Sequence, residues 1–310
     1  MLANAQVKRK INRGRETFRF FLAAIPVIGF VIFGLVPMVV SLMLSFTNVK
    51  GSILDDFTFV GFANFAYLVK NVNFLKSMRN TLFYVLNVPL SLAVGLFIAY
   101  LVNKAGTGNR FFRSVFFIPY VCSTVSISIA WKIMYDADYG IINTTLGSFG
   151  VDKIGWISTP QTFMLSVIIM SVWKGTGLCV ILYQAALANV NQSYYESAKI
   201  DGASPMRIFF TITLPAVSPT TFYLLTMKII GSLQVMEEPD ILSGGDETMS
   251  GLDWADMTVV KFLYKTFNGG WNSLGFGVGS AAALILTLFI LVVTYVNFAL
   301  GKKWVNYDMA

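Results

Sequence analysis

Long uncharged runs alternate with short charged segments along the 310-residue chain. Six runs are long enough, or nearly so, for a membrane-crossing helix, which needs about 20 apolar residues. These runs are Phe20–Val49, Asn80–Asn103, Ser114–Trp131, Gly175–Tyr195, Ile208–Met227 and Thr266–Gly301. Extending the helices past flanking charges predicts six spans at 18–46, 78–103, 111–133, 160–187, 217–237 and 274–301. The pattern therefore predicts an all-α, polytopic membrane protein.

The composition agrees with this prediction and excludes several kinds of chemistry. Only 13% of the residues are charged, against about 25% in soluble chains. The chain has no histidine, so a histidine metal site, a histidine proton relay and a histidine-based triad are excluded. Cys122 and Cys179 fall inside apolar runs without disulfide or metal-site spacing. We expect both to be small packing residues and predict no metal site.

The basic start of the chain resembles that of a signal peptide. Its apolar run is too long for one, and no small-residue cleavage site follows it. We therefore expect a first span that stays in the protein.

Basic residues are distributed unequally between the two sides of the predicted spans. Lysine and arginine are retained on the cytoplasmic side of a membrane. One side holds thirteen of them against four acids: Lys8, Arg9, Lys10, Arg13, Arg15, Arg19, Lys104, Arg110, Arg113, Lys199, Arg207, Lys302 and Lys303. Both termini are therefore predicted in the cytoplasm, with a basic segment 1–17, a membrane domain 18–305 and a tail 306–310. These residues are scattered through loops rather than gathered in a patch, so nucleic acid is not an expected partner.

A polar segment, ESAKIDGASPMRIFFTITLP, lies on the cytoplasmic side between the fourth and fifth predicted spans. Gly202 is expected to break a helix, and Ser204-Pro205 to restart one. Residues that favour helix entry precede the segment: Asn189, Asn191 and Ser193. The segment is thus predicted to form two short helices around a sharp turn. The residues alone leave two uses open, a surface linker between spans and a docking element for a cytoplasmic partner.

The same segment resembles the coupling loop of binding-protein-dependent ABC importer permeases. Their pattern is E-A-A, three residues, glycine, nine residues, an aliphatic residue, one residue and Leu-Pro. The matching positions are Glu196, Ser197, Ala198, Gly202, Ile212, Leu214 and Pro215, with Asp201 and Ala203 beside the turn as in carbohydrate permeases. Ser197 in place of alanine is the one departure. We take the coupling loop as 189–216.

Other segments look like the maltose-type sugar-permease subfamily, so the resemblance covers about residues 18–305. They are RFFRSVFFIPY, WKGTGLCVILYQAALANV, GSLQVMEEPDILSGG and the C-terminal NGGWNSLGFGVGSAAALILTLFILVVTYVNF.

The resemblance implies a transmembrane permease subunit of an ATP-driven importer of an oligosaccharide. It implies a bacterial cytoplasmic (inner) membrane location and five partners: a second homologous permease, an ATP-binding cassette ATPase dimer, an extracytoplasmic solute-binding protein, a sugar and membrane lipid. The chain has no G-x-x-x-x-G-K-[ST] motif. ATP and Mg are therefore expected on a separate ATPase chain. This chain is expected to be non-catalytic and to carry no cofactor of its own.

Lys174 falls well inside the fourth predicted span and Lys228 well inside the fifth. A charged side chain is costly within a bilayer, so each lysine is a candidate functional residue. The resemblance implies that sugars are held between these two spans. The candidate substrate residues are Ser171, Trp173, Lys174, Gly175, Leu178 and Gln184 on the fourth span, and Lys228, Gly231, Ser232 and Gln234 on the fifth. Alternatively, Lys174 reaches the membrane surface or bonds to backbone at a helix break. Ser232 and Gln234 could instead join helices through hydrogen bonds.

Lysines without a carboxylate in the spans suggest an anionic solute, such as a uronic-acid oligosaccharide or a sugar phosphate. A neutral oligosaccharide is the alternative that the subfamily implies. The same fold could also carry glycerol phosphate or a polyamine. A secondary transporter would need an intramembrane acid or histidine and an inverted repeat. A membrane enzyme would need clustered acids with a base or nucleophile.

The predicted outer loop Glu237–Trp271 is long and acidic, with turns expected at Ser243-Gly244-Gly245 and Asn268-Gly269-Gly270. Contact with a solute-binding protein is the predicted role, and a solvated loop that fixes topology is the alternative.

Overall fold

The computed structural model describes residues 13–50, 57–104, 109–245, 252–268 and 274–306. Most of the predicted basic N-terminus and of the predicted tail lies outside these ranges. Within them the chain is almost wholly helical, apart from one isolated antiparallel bridge between Thr47 and Phe59.

The helices follow one another with short connections. Two π-helical stretches, Val31–Leu35 and Phe209–Thr213, join α1 to α2 and α11 to α12. The α-helices are α1 Arg13–Phe30, α2 Val36–Leu44, α3 Ala63–Lys70, α4 Val72–Tyr84, α5 Asn87–Lys104, α6 Asn109–Val121, α7 Thr124–Met134, α8 Ile141–Ser148, α9 Pro160–Asn189, α10 Gln192–Ile200, α11 Pro205–Ile208, α12 Leu214–Ala216, α13 Ser218–Leu233, α14 Glu237–Ser243, α15 Val259–Phe267 and α16 Gly275–Trp304.

Four of the described helical segments are long and apolar enough to cross a membrane unaided. They are Phe18–Leu44, Val72–Asn103, Pro160–Asn189 and Gly275–Trp304. Two further segments qualify only as bent pairs: α6 with α7, bent by 94°, and Pro205–Ala216 with α13, bent by 63°. Counting each bent pair as one crossing gives the predicted six. The predicted all-α polytopic membrane fold is confirmed.

The third and fifth predicted spans differ from the straight helices expected. The third breaks after α6, because Ser123 has extended backbone angles (φ −54°, ψ 133°) and starts α7 as its N-cap residue. The fifth ends at Leu233, before the predicted limit, and Glu237 opens the separate helix α14. Acids in a first helical turn are favoured by the helix dipole. The first difference places a break within the third span, and the second places Glu237 and Glu238 in a separate helix after the fifth.

Close helix packing in the bundle centres on α9. A side-chain carbon at Gly95 of α5 would overlap the Cβ of Cys179, and one at Gly177 would overlap the carbonyl oxygen of Phe116. Small residues let membrane helices approach in this way, because van der Waals contact replaces the hydrophobic effect within lipid. Cys179 is fully buried and acts as a packing residue, whereas Cys122 is exposed.

The predicted outer region, which comprises the described residues of Glu237–Trp271, is folded around a buried lysine. Lys261 of α15 is 1% exposed. Its Nζ lies 2.9 Å from Asp240 Oδ1 and 2.6 Å from Asp256 Oδ2, and it donates to Ser243 Oγ at 3.0 Å. Two acids of the predicted outer loop therefore neutralise a buried cation and hold α14 against α15.

The turn predicted at the end of α14 is present. Gly244 and Gly245 have φ values of +89° and +70°, which glycine adopts without strain. The second predicted turn, at Asn268-Gly269-Gly270, falls largely outside the described residues.

Replacing Lys261 by alanine is expected to lower the thermal stability of the detergent-solubilised protein. The change leaves two carboxylates facing an unfilled, buried space, and breaking a buried ion pair costs about 3–5 kcal/mol. Lys153→Ala is the control, because it breaks an ion pair with Asp138 in which both side chains are 67% exposed. Equal melting temperatures for the two variants would contradict the role given to Lys261.

Candidate functional site

A cavity of about 750 Å³ opens between α4, α5, α6, α9, α13 and the start of α14, with Tyr120 as the α6 residue of its lining. Its size lies in the range of about 300–1,000 Å³ that is typical of small-ligand sites. Eight predicted substrate residues line it: Ser171, Lys174, Gly175, Leu178, Lys228, Gly231, Ser232 and Gln234. The structure thus brings together residues of the fourth and fifth predicted spans, as the sequence indicated.

Polar side chains of one cavity wall are joined across helices. Tyr84, at the end of α4, donates its hydroxyl to Ser171 Oγ at 2.9 Å. Asn87, at the start of α5, donates to Ser232 Oγ at 3.0 Å and to Tyr84 O at 2.6 Å. The interhelical hydrogen bond considered for Ser232 is therefore present, and Ser232 faces the cavity as well. Tyr84 and Asn87 were not predicted, because they belong to the second span and the two mid-span lysines pointed to the fourth and fifth.

The α13 wall combines an aromatic ring, a thioether and a cation. Tyr223 and Met227 are 54% and 55% exposed and line the cavity with Lys228. Neither was predicted, although a signal was available. Tyr223, Met227, Gly231 and Gln234 recur at helical spacing, and all four line the cavity.

Lys174 is paired with an acid that the sequence analysis overlooked. Its Nζ lies 3.7 Å from Glu238 Oε1, and the two side chains are 15% and 18% exposed. Lys174 also donates to Thr124 Oγ1, at the start of α7. The idea that both lysines lack a carboxylate is therefore wrong for Lys174. The helix break proposed as an alternative is absent too, because α9 runs unbroken through Gly175.

Lys228 has no such partner. None of the described residues forms a hydrogen bond or ion pair with its side chain. The ammonium group lies against Gly175, where a side-chain carbon would sit only 2.5 Å from Nζ. Glycine at this position therefore leaves room for the lysine head beside the cavity.

Two predicted substrate residues lie outside the cavity lining. Trp173 is 47% exposed and packs edge-on against Trp131, with ring centres 5.6 Å apart. Gln184 is buried, and no described group bonds to either atom of its amide.

The two short helices predicted on the cytoplasmic side are present. Asn191 caps α10 by accepting from Ser193 N at 3.0 Å. Gly202 has φ +71°, as its turn requires. Ser204 Oγ then accepts from Arg207 N at 3.3 Å and starts the second helical segment, Pro205–Ala216.

The first of these helices projects from the bundle. No residue of α10 is buried. Among the predicted coupling residues, Glu196, Ser197, Asp201, Gly202 and Leu214 are exposed, while Ala198, Ala203, Ile212 and Pro215 are half-buried. Tyr195 OH lies 3.3 Å from Thr213 Oγ1 and so links the two helical segments. This arrangement leaves a mixed surface beside the glycine turn, where the carboxylates of Glu196 and Asp201 lie near the exposed apolar side chains of Ile200 and Met206.

Comparison with known proteins identifies the class. Residues 91–306 match the family model for the binding-protein-dependent transport system inner membrane component. The probable ABC transporter permease protein YesP of Bacillus subtilis is 33% identical, with 91% of this chain and 89% of YesP aligned. The chain belongs to this family and is an inner-membrane transport component. The predicted family is confirmed, while the coupling role of Glu196–Pro215 and the domain limits at 18 and 305 stay predictions.

One further relative and one solved structure fit this assignment. The arabinooligosaccharides transport system permease protein AraP of Bacillus subtilis is 29% identical, over 96% of this chain and 92% of AraP. A chain in the crystal structure of a bacterial ABC transporter involved in the import of the acidic polysaccharide alginate has a TM-score of 0.80 and 22% identity. It covers 94% of this chain and 96% of its own length. That likeness shows a shared fold.

Reversing the charge of Glu238 is expected to loosen α14 from α9. Glu238→Lys places two cations together, so we expect a lower melting temperature in detergent. The swapped double variant Lys174→Glu/Glu238→Lys is expected to regain most of the loss, since coupling between contacting residues is about 0.5–3 kcal/mol. Glu237→Lys, at the exposed neighbouring acid, is the control. An equal loss in both single variants, without recovery in the swap, would contradict the pairing.

Proposed function

We propose that the chain is the transmembrane permease subunit of an ATP-driven, binding-protein-dependent importer of an oligosaccharide. The observation that carries this proposal is the cavity between the two spans that flank the coupling loop. Tyrosine rings, serine hydroxyls and an asparagine amide line it, and such groups suit the faces and hydroxyls of sugars. The substrate in the name of AraP supports a carbohydrate.

Coupling rests on direct helical connection between the cytoplasmic loop and the cavity. Helix α9 carries Lys174 and runs without a break to Asn189, two residues before the cap of α10. The other segment, Pro205–Ala216, leads into α13 across the 63° bend. A rigid-body displacement of the coupling loop would therefore tilt both cavity walls, as alternating access requires.

The predicted coupling residues would make the contact with the ATPase. Glu196 and Asp201 offer exposed carboxylates, and Gly202 supplies the turn between the helices. ATP and Mg would bind to the separate ATPase dimer, since this chain has no phosphate-binding motif. The charge distribution supports cytoplasmic termini and an outer position for α14 and α15, which would meet the solute-binding protein.

A second, homologous permease would complete the transport pathway. The span Phe18–Leu44 is largely unburied within this chain, with 6% of its most apolar window covered. Membrane lipid and the second permease would share this surface.

The alternative solutes fit the cavity less well. A polyamine would bring positive charge towards the unpaired Lys228. Glycerol phosphate would fill only a small part of about 750 Å³. A secondary transporter is not favoured, because the family transports with a binding protein.

Gly202→Val is expected to uncouple the ATPase from this chain. A β-branched residue at φ +71° is strained by about 1–2 kcal/mol, so the two short helices should change their relative position. We expect at least about tenfold less Walker-motif ATPase to co-purify with the tagged chain from native membranes, the effect of losing about 1.4 kcal/mol.

Mass spectrometry of the purified complex measures the amount of ATPase that co-purifies. Ser197→Ala, which restores the family pattern, is the control and should retain the ATPase. A wild-type chain that purifies alone, and transports solute in liposomes without ATP, would contradict the proposed function.

A further inference from the structure

The two lysines at the cavity differ in what balances their charge. Lys174 forms an ion pair with Glu238, while no described acid pairs with Lys228. Glu237 is the remaining acid of the lining, and it lies at the outer end beside Glu238. One lysine head is therefore available to a negatively charged solute from inside the cavity.

The site around Lys228 is shaped to present its head group. On the α9 side, the absence of a side chain at Gly175 leaves space for the ammonium group. The position of a Cβ at Gly175 would also be 3.5 Å from Ser91 Oγ, so the α5 hydroxyl borders the same space. Ser91 donates to Asn87 O at 2.7 Å, and Asn87 in turn holds Ser232. Three helices thus converge on one cation.

Placing the charged side chain of Lys228 inside the bundle costs free energy unless a bound ligand compensates the charge. An ammonium group without a counter-ion loses hydration free energy within a membrane protein. An uncharged residue of similar length would avoid this cost. A solute that carries a negative charge would remove this cost when it binds.

We propose that the imported oligosaccharide is acidic and that Lys228 binds the carboxylate of one uronic-acid unit. This proposal rests on the function proposed above. It assigns Lys228, and not Lys174, as the residue that selects for an acidic sugar. The tyrosines and the amide and hydroxyl groups of the lining would hold the neutral parts of the same molecule.

The charge balance favours a carboxylate over a phosphate. A sugar phosphate carries between one and two negative charges at neutral pH, and compensating them would require a second free cation. The charge of Lys174 is already compensated by its ion pair with Glu238. Glu237 adds a further negative charge at the outer end of the cavity. One unpaired lysine matches one carboxylate.

Uptake by the reconstituted native complex, with its binding protein and ATP, tests the proposal. The probes are radiolabelled disaccharides to tetrasaccharides that contain a single uronic-acid unit, their carboxyl-reduced neutral counterparts, and hexose phosphates. Wild-type complex is expected to import an acidic probe and to discriminate against its neutral counterpart. Lys228→Gln is expected to raise the concentration for half-maximal uptake about tenfold to a hundredfold, the range for a hydrogen bond to a charged group.

Matched variants separate charge from packing. Lys228→Arg keeps the charge and is expected to retain more uptake of the acidic probe than Lys228→Gln. Lys70→Gln changes an exposed lysine outside the cavity lining and should match wild type.

Several results would overturn the proposal. Unchanged half-maximal uptake in Lys228→Gln would exclude Lys228 as the selecting residue. Wild-type preference for neutral sugars or hexose phosphates would exclude a uronate, and this comparison holds even when the glutamine variant fails to assemble. ATP-driven import of a neutral sugar overturns the inference alone. Transport that needs neither ATP nor the binding protein overturns the proposed function itself.

Discussion

A charge inside a bilayer must be compensated, and the described structure is arranged around that constraint. Lys174 lies well inside the fourth span and is paired with Glu238 of α14, the helix that follows the early end of the fifth span. Lys228 is the exception, because no described acid reaches it. The same constraint reappears in the outer region, where a fully enclosed lysine holds α14 and α15 together through two acids. Ionic pairing thus sets the positions of helices whose apolar faces would tolerate several arrangements.

Much of the fold could be predicted from the sequence, because the length of an apolar run is a local property. The number of crossings and their approximate limits follow from it. The 94° break between α6 and α7 does not, since it depends on Ser123 leaving the helix and on Thr124 meeting a lysine 50 residues away. The packed outer region was missed for the same reason. Acids that look solvated in sequence are bound to Lys261, and only the tertiary structure brings them together.

In the candidate site too, features set by neighbouring residues were predicted, and features set by tertiary contacts were not. The coupling segment was predicted in detail, because its caps and its glycine turn are decided by neighbouring residues. Eight cavity residues were predicted because two mid-span lysines marked the correct helices. Tyr84, Asn87 and Tyr120 were missed, since they come from spans that carry no charge at that depth. Tyr223 and Met227 could have been found from their helical spacing with Gly231. Trp173 shows the opposite error, in which an aromatic beside a lysine faces away from the cavity.

Helix α10 buries none of its residues in this chain. Apart from Tyr195, which is linked to Thr213, its side chains contribute little to the packing of this chain. A survey of variants scored by expression or melting temperature would be blind to this helix, and would rank its residues as dispensable. Specificity for one partner over another could change there without any cost to the membrane bundle. In the function proposed above, this weakly constrained helix is also the one that would meet the ATPase.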